Sequence, residues 1–101
     1  MAETKQVLHI LTPFTSLASE HESREVEQCP PLSELQELVG GLIELVRVNF
    51  RGKVVDMLVN EEGLIMNLPV NAAATALMRE SYEGYGYIVG VALVFEGFTL
   101  P

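Results

Sequence analysis

The chain has 101 residues, of which 49% are apolar and 20% are charged. This length suits one domain with one modest core, and the composition lies outside the range of disordered chains. Fourteen acidic residues against six basic ones give a net charge of −8, which disfavours direct binding to DNA or RNA because no basic stripe can displace the counterions of a phosphate backbone.

The N-terminal third predicts one strand followed by a polar segment. Residues 5–11 are largely apolar and end shortly before Pro13, which predicts a short strand. Residues 13–31 carry many charges and few apolar side chains, so we expect a polar loop or mobile arm there. A solvated helix over residues 15–28 is the alternative, because nothing in that stretch breaks a helix.

A first helix is predicted next. Ser33 and Gln36 have the spacing of a capping box, in which each side chain satisfies a backbone donor near the other. Gly40 and Gly41 offer a left-handed end to that helix. The apolar spacing continues as far as Val46, so a longer helix is the alternative, but its two interior glycines would each cost about 1 kcal/mol relative to alanine.

A hairpin and a short extended piece follow this helix. Residues 42–49 and 54–60 contain β-branched and apolar side chains on either side of a turn at residues 50–53, which predicts two paired strands. Residues 60–63 are rich in turn formers, and residues 64–66 are expected to continue as a short extended segment.

The C-terminal third predicts a second helix and a buried strand. Asn71 precedes a run of strong helix formers from Ala72 to Glu80 and is a suitable N-cap. Residues 88–95 are apolar on both faces, which indicates a strand buried on both sides. The whole pattern predicts a single domain over residues 1–101, with an α+β fold that has a small mixed, mainly antiparallel sheet of four to five strands and two short helices.

This last strand also leads to a prediction about assembly. Two short helices are expected to cover only one face of such a sheet. Leaving apolar side chains on the other face in water would cost on the order of several kcal/mol, which is comparable with the stability of a small domain. We therefore expect a homo-oligomer or an obligate host partner. The alternative is that the N-terminal arm folds back over that face.

Several chemistries are disfavoured by the residues present. No apolar stretch approaches the roughly 18 residues that a membrane helix needs, and the N terminus lacks a secretory pattern, so we expect no membrane contact and a cytoplasmic location. Cys29 is the only cysteine, and with His9 and His21 it forms no recognisable zinc set or nucleophile pair. We expect no metal and no cofactor.

Acidic residues give two further candidates. Glu44 alternates with apolar neighbours on its predicted strand, which would make it a functional acid. A simpler, non-functional explanation of Glu44 is an ion pair with a nearby cation or an edge position that faces water. Asp56, Glu61 and Glu62 could hold a hard cation, but a turn is the simpler explanation because no calcium-binding loop is present. An enzyme that uses Glu44 with Glu61 or Glu62 is a third possibility.

Three short runs and one pair of residues have an informative order. They are Val39-Gly40-Gly41-Leu42-Ile43-Glu44, Asn60-Glu61-Glu62-Gly63, Leu68-Pro69-Val70-Asn71 and Ala74-Thr75. As an ordered set they resemble the family catalogued as domain of unknown function 3846, from about residue 38 onward. The resemblance implies a small protein of phages, plasmids and other mobile elements, and it supplies no established catalytic residues.

The absence of an organised catalytic set favours a non-catalytic protein that acts by binding. The resemblance to a mobile-element family suggests an inhibitor of a host defence system such as CRISPR, whose carboxylates would occupy a groove that expects phosphates. The candidate partner-binding residues are Glu20, Glu22, Glu25, Glu27, Glu34 and Glu37.

The alternative function belongs to a different class, an oligomeric protein that sequesters a nucleotide signal. Flat rings would clamp the base and cations would meet the phosphate. The candidate ligand-binding residues are Tyr82, Tyr85, Tyr87, Arg51, Lys53 and Arg79.

Overall fold

The computed structural model describes residues 5–13, 21–81 and 86–98. In chain order, its elements are β1 (Val7–Leu11), β2 (Glu22–Glu25), α1 (Leu32–Val39), β3 (Ile43–Phe50), β4 (Lys53–Asn60), α2 (Ala72–Ser81) and β5 (Ala92–Glu96).

The strands of the described residues form one five-stranded sheet in the order β2-β1-β5-β4-β3. Each pairing between neighbouring strands is antiparallel. The predicted α+β fold is therefore confirmed, with the difference that these pairings make the sheet antiparallel rather than mixed.

The central strand β5 is covered on both faces by its own chain. On one face, Met57 and Val94 pack with Ala74 and Met78 of α2. The opposite face is covered by α1. The core cluster on that face contains Leu8, Leu35, Val39, Leu58, Leu93 and Phe95. The expectation that both helices cover the same face is wrong, because α1 and α2 lie on opposite sides of the sheet.

This arrangement changes the argument about assembly. Residues 92–95 of β5 are fully buried, with 0% of each exposed, so the strand needs no second molecule to exclude water. The N-terminal arm contributes to this cover through Val26 and Cys29, which pack against the same core cluster as α1, while β1 extends the sheet by pairing with β5 along its whole length. A homo-oligomer remains a prediction, and the burial of β5 no longer supports it.

The segment predicted to be a polar loop or arm, residues 13–31, contains strand β2 instead. Residues 22–25 pair with residues 7–10 of β1, and all four side chains of β2 are exposed. A strand at the edge of a sheet is held by main-chain hydrogen bonds, so it requires no apolar side chains, and its sequence resembles that of a loop.

The start of α1 also differs from the prediction. The expected capping box of Ser33 and Gln36 is wrong, because the N-cap position is Pro31 and no described side chain caps it. The end of α1 agrees with the prediction: Gly40 has a φ of 89° and its N–H donates to the carbonyl of Gln36. The chain then enters β3, so the longer helix considered as an alternative does not form.

The last strand is shorter than its apolar run. Gly90 has a φ of 77°, and this left-handed residue separates Val89 from the strand that begins at Ala92. Val89 instead forms an isolated antiparallel bridge with Val70. The apolar run of residues 88–95 was therefore wrongly predicted to be one continuous strand.

Asn71 connects three parts of the chain and is fully buried. Its Oδ1 accepts a hydrogen bond from the N–H of Ala74 at 3.0 Å, which confirms it as the N-cap of α2. Its Nδ2 donates to the carbonyl oxygens of Leu11 and Gly90, both at 2.9 Å. One side chain thus satisfies three backbone groups that would otherwise lack a partner in the interior.

We expect Asn71→Ala to lower the free energy of unfolding by roughly 2–4 kcal/mol, because it removes a helix cap and leaves two buried carbonyl oxygens without a donor. Urea denaturation followed by circular dichroism measures this loss. Asn49→Ala is the matched control, since Asn49 is exposed and its replacement should change stability by at most about 0.5 kcal/mol. Equal effects of the two substitutions would contradict the role given to Asn71.

Candidate functional site

A partly buried polar cluster joins β1, the residue before β2, and the end of β5. The Nε2 of His9 lies 2.8 Å from Oε1 of Glu96, and its Nδ1 lies 2.7 Å from Nε2 of His21. The same Glu96 oxygen lies 3.6 Å from Nη1 of Arg51. Phe50 closes one side of the cluster, with its ring centroid 4.8 Å from that of His9.

Burial determines the protonation state of His9. The residue is 3% exposed, and desolvation lowers the pKa of His9 below its usual value of 6.5, although the hydrogen bond to Glu96 opposes this effect. Neutral His9 therefore donates its Nε2–H to Glu96 and accepts at Nδ1 from His21. The arrangement can hold a proton between two imidazoles and orient both rings.

The cluster borders a shallow groove of about 430 Å³, lined by Val7, His9, His21, Ser23, Glu25, Arg51 and Glu96. The sequence pattern does not indicate this grouping, because His9 and His21 are 12 residues apart. The missing information was the pairing of β1 with β2, which brings His9 opposite Ser23. Recognising residues 22–25 as an edge strand would have revealed it.

The acidic residues chosen as partner-binding candidates divide into two sets. Glu22 contacts Arg24, and Glu25 contacts Lys5 at 3.1 Å, so both carboxylates already have cations beside them. A second set is exposed and makes no ion pair with any described residue; it consists of Glu27, Glu34 and Glu37. Glu20 lies outside the described residues.

The other acidic candidates are also separated. Glu44 is exposed, so it faces water, as the simpler, non-functional explanation predicted. Asp56 is buried within β4 and lies 3.6 Å from Arg47, whereas Glu61 and Glu62 occupy the exposed turn after β4. Within residues 5–13, 21–81 and 86–98, no group of three or more His, Cys, Asp or Glu is arranged to hold a metal ion.

Cys29 has the features of a structural thiol. It packs against the apolar cluster under α1, and its Sγ lies 3.5 Å from the carbonyl oxygen of Pro30. Burial raises the pKa of the Cys29 thiol, so little of the nucleophilic thiolate is present at neutral pH.

The residues proposed for a nucleotide do not form one site. Arg79 and Tyr87 contact each other, with the guanidinium carbon 4.7 Å from the ring centroid. Arg51 and Lys53 flank the β3–β4 turn and line two other grooves, while Tyr87 lines a third. Tyr82 and Tyr85 lie outside the described residues.

The turn after β4 presents the two most exposed large apolar side chains of the described residues, Ile65 at 83% and Leu64 at 77%. Met66 beside them is 49% exposed. The prediction of an extended piece here is wrong, because residues 61–67 form consecutive turns. A helix-like set of main-chain bonds replaces strand pairing, including the donation from Met66 N–H to the carbonyl of Glu62 at 2.9 Å.

The fold defines a small α+β protein with an antiparallel sheet between two helices. The profile of the family described as Domain of unknown function (DUF3846) matches residues 14–98, and the chain belongs to this family. The resemblance inferred from the three runs is confirmed, and the match begins earlier in the chain than residue 38. No curated protein and no solved structure matches the chain.

In the part of the chain that the structure describes, no helix combines the length and apolarity needed to cross a membrane.

The His9 cluster predicts a pH-dependent stability. Because the pKa of His9 is lower in the folded protein than in the unfolded chain, its contribution is present above pH 6.5 and is lost as the pH falls through the folded-state pKa. We expect His9→Gln to reduce the slope of unfolding free energy between pH 7.5 and pH 5.5 by at most about 1.4 kcal/mol per pH unit.

Urea denaturation at several pH values measures this slope. Ser23→Ala is the control, since Ser23 lies opposite His9 on β2 and does not titrate, and it should retain the wild-type slope. A wild-type slope in His9→Gln would show that His9 does not contribute to the pH dependence.

Proposed function

We propose that this protein acts without catalysis, by binding another protein through the exposed turn after β4. The contact would be made by a set of apolar side chains that we call the loop surface; it consists of Leu42, Leu64, Ile65 and Met66. The observation that supports this proposal is the exposure of Ile65, at 83%, within a turn whose main chain is hydrogen-bonded.

The turn after β4 is held by its own hydrogen bonds. The N–H of Glu62 donates to Oδ1 of Asn60 at 2.8 Å, and the N–H of Leu68 donates to the carbonyl of Gly63 at 3.1 Å. These bonds fix the direction in which residues 64–66 point, so little conformational entropy would be lost when a partner covers them. Exposed apolar groups held in this way are typical of interaction surfaces.

The loop surface also includes Leu42. The carbonyl of Leu42 accepts the N–H of Glu61 at 2.9 Å, and the Sδ of Met66 accepts from Nδ2 of Asn60 at 3.6 Å. Because Asn60 also pairs with Ile43 at the start of β3, it connects that strand to the turn. Leu42 is itself 53% exposed, and its main-chain bond to Glu61 places it beside the start of the turn.

The charges around the loop surface favour a basic partner. Glu61 and Glu62 are exposed within the turn, and Glu44 lines the neighbouring groove with Leu64. The C-terminal end of α1 lies close by, because Nδ2 of Asn60 donates to the carbonyl of Val39 at 3.4 Å. With a net charge of −8, the protein would attract a cationic surface and orient it before contact.

A nucleic-acid-binding protein of a host defence system is a partner class that meets both requirements. Such proteins present Lys and Arg in a groove that normally holds phosphates. An inhibitor of a CRISPR complex, encoded by a phage or another mobile element, would use the acidic rim to occupy that groove. The apolar side chains of the loop surface would add binding energy, about 1.5–3 kcal/mol for each large side chain that becomes fully buried.

Photo-crosslinking from single positions tests this proposal. Benzoylphenylalanine placed at Ile65 is expected to crosslink one basic protein when the full chain is recovered from its host cell. The control carries the same group at Leu32, which is 56% exposed on α1 and lies outside the loop surface. We expect Glu61→Lys with Glu62→Lys to reduce the crosslink from Ile65 by at least tenfold without loss of folding.

Equal crosslinking from Ile65 and Leu32 would contradict the loop surface as the site. A crosslink that survives the charge reversal at full strength would contradict a basic partner.

The acidic residues of α1 are tested separately. We expect Glu34→Lys with Glu37→Lys to weaken the same crosslink several-fold, because both carboxylates are exposed and α1 ends beside Asn60. Glu27→Lys is the matched single-charge comparison from the segment before α1. Unchanged crosslinking in all of these variants would restrict the binding surface to the turn itself.

A further inference from the structure

A groove opens where β4 and β5 separate. Their ladder ends at the pair Asp56 and Phe95, although β4 extends back to Lys53. β5 ends at Glu96, and the next residue, Gly97, has a φ of 86°. The space between the two strands is a groove of about 560 Å³, which is within the usual size range of small-molecule sites.

The wall of this groove is apolar. Val54 lies in the groove with 69% of its surface exposed, an unusual position for a β-branched side chain in a strand. Phe98 also lines the groove, and its ring stacks on that of the buried Phe95, with centroids 4.7 Å apart and planes 11° apart. The stack holds a flat, partly exposed ring in a fixed orientation.

Cations concentrate around the same groove. Lys5 and Lys53 line it, and Arg51 lines the adjoining groove, which shares Val7 and Glu96 with it. Half of the six Lys and Arg residues in a chain of net charge −8 therefore lie at this end of the described structure. Glu25 and Glu96 also lie at this end and contact Lys5 and Arg51, so Lys53 is the cation here that no carboxylate of the described residues balances.

The cations are available to a ligand. Lys53 makes no ion pair with any described residue. Lys5 contacts Glu25 at 3.1 Å, but both side chains are well exposed, at 77% and 68%. An ion pair so exposed contributes little to stability, and a bound anion can replace it.

We propose that this groove binds a small organic anion with a flat apolar body. The flat body lies against Phe98 and Val54, and the anionic group meets the ammonium groups of Lys5 and Lys53. A carboxylate and a phosphate satisfy the same two lysines, so an aromatic acid and a nucleotide share the required chemistry. This site is separate from the loop surface and does not depend on the proposed protein partner.

Amide chemical shifts of the ¹⁵N-labelled full chain test the proposal with two anionic probes, 1-naphthoate and AMP. Each is paired with an uncharged analogue, 1-naphthalenemethanol or adenosine. At least one anion is expected to shift the amides of Val54, Gly97 and Phe98 saturably, and its uncharged analogue to bind at least tenfold more weakly. The probe that binds shows which of the two ligand classes, an aromatic carboxylate or a nucleotide, the groove accepts.

Charge removal provides the matched variants. We expect Lys5→Gln with Lys53→Gln to weaken the binding of that anion by about tenfold, while the remaining amide shifts stay those of the folded protein. Arg79→Gln is the control, because this cation packs on Tyr87 and should leave the affinity unchanged.

The proposal is overturned if neither anion gives saturable shifts at these amides. It is also overturned if the uncharged analogues bind as tightly as the anions, or if the double lysine variant keeps the wild-type affinity.

Discussion

The side chain of Asn71 holds together three segments that are far apart in the sequence. It caps α2, and its amide group donates to the carbonyls at the end of β1 and at the turn before β5. Thr75, one turn later, adds a reciprocal pair of bonds with the main chain of Ile88. An apolar residue at position 71 would leave these groups without partners in a dry interior, where each costs about 1–3 kcal/mol. The position of α2 over the sheet therefore depends on hydrogen bonding as well as on apolar contact.

The placement of one helix on each face explains how a short chain buries its central strand. Residues of β5 that alternate between the faces meet Met78 on one side and Leu35 on the other. Since the chain completes both layers itself, its remaining exposed apolar side chains are not unfinished core. Those at residues 64–66 and at Val54 are the basis of the two binding proposals.

The sequence predicted elements well where side chains determine them, and less well where the main chain does. Asn71 and Gly40 specify a helix start and a helix end through their own chemistry, and both are confirmed. Strand β2 is held by main-chain pairing at an edge, so its polar sequence looked like a loop. The same error hid the contact between His9 and His21, because that contact depends on the pairing of two strands. The choice of sheet face for each helix is a tertiary property that no local pattern encodes.

Strand β4 separates the two proposed binding surfaces. Lys53, the first residue of β4, lines the groove between β4 and β5. Asn60, the last residue of β4, accepts a hydrogen bond from the turn that carries the loop surface. These two residues are seven positions apart in the extended chain, a span of about 23 Å. The strand between them is paired on both sides at residues 56–58. A protein bound at one end of β4 and a small anion bound at the other end would not collide. One copy of the chain could therefore bind both ligands at the same time.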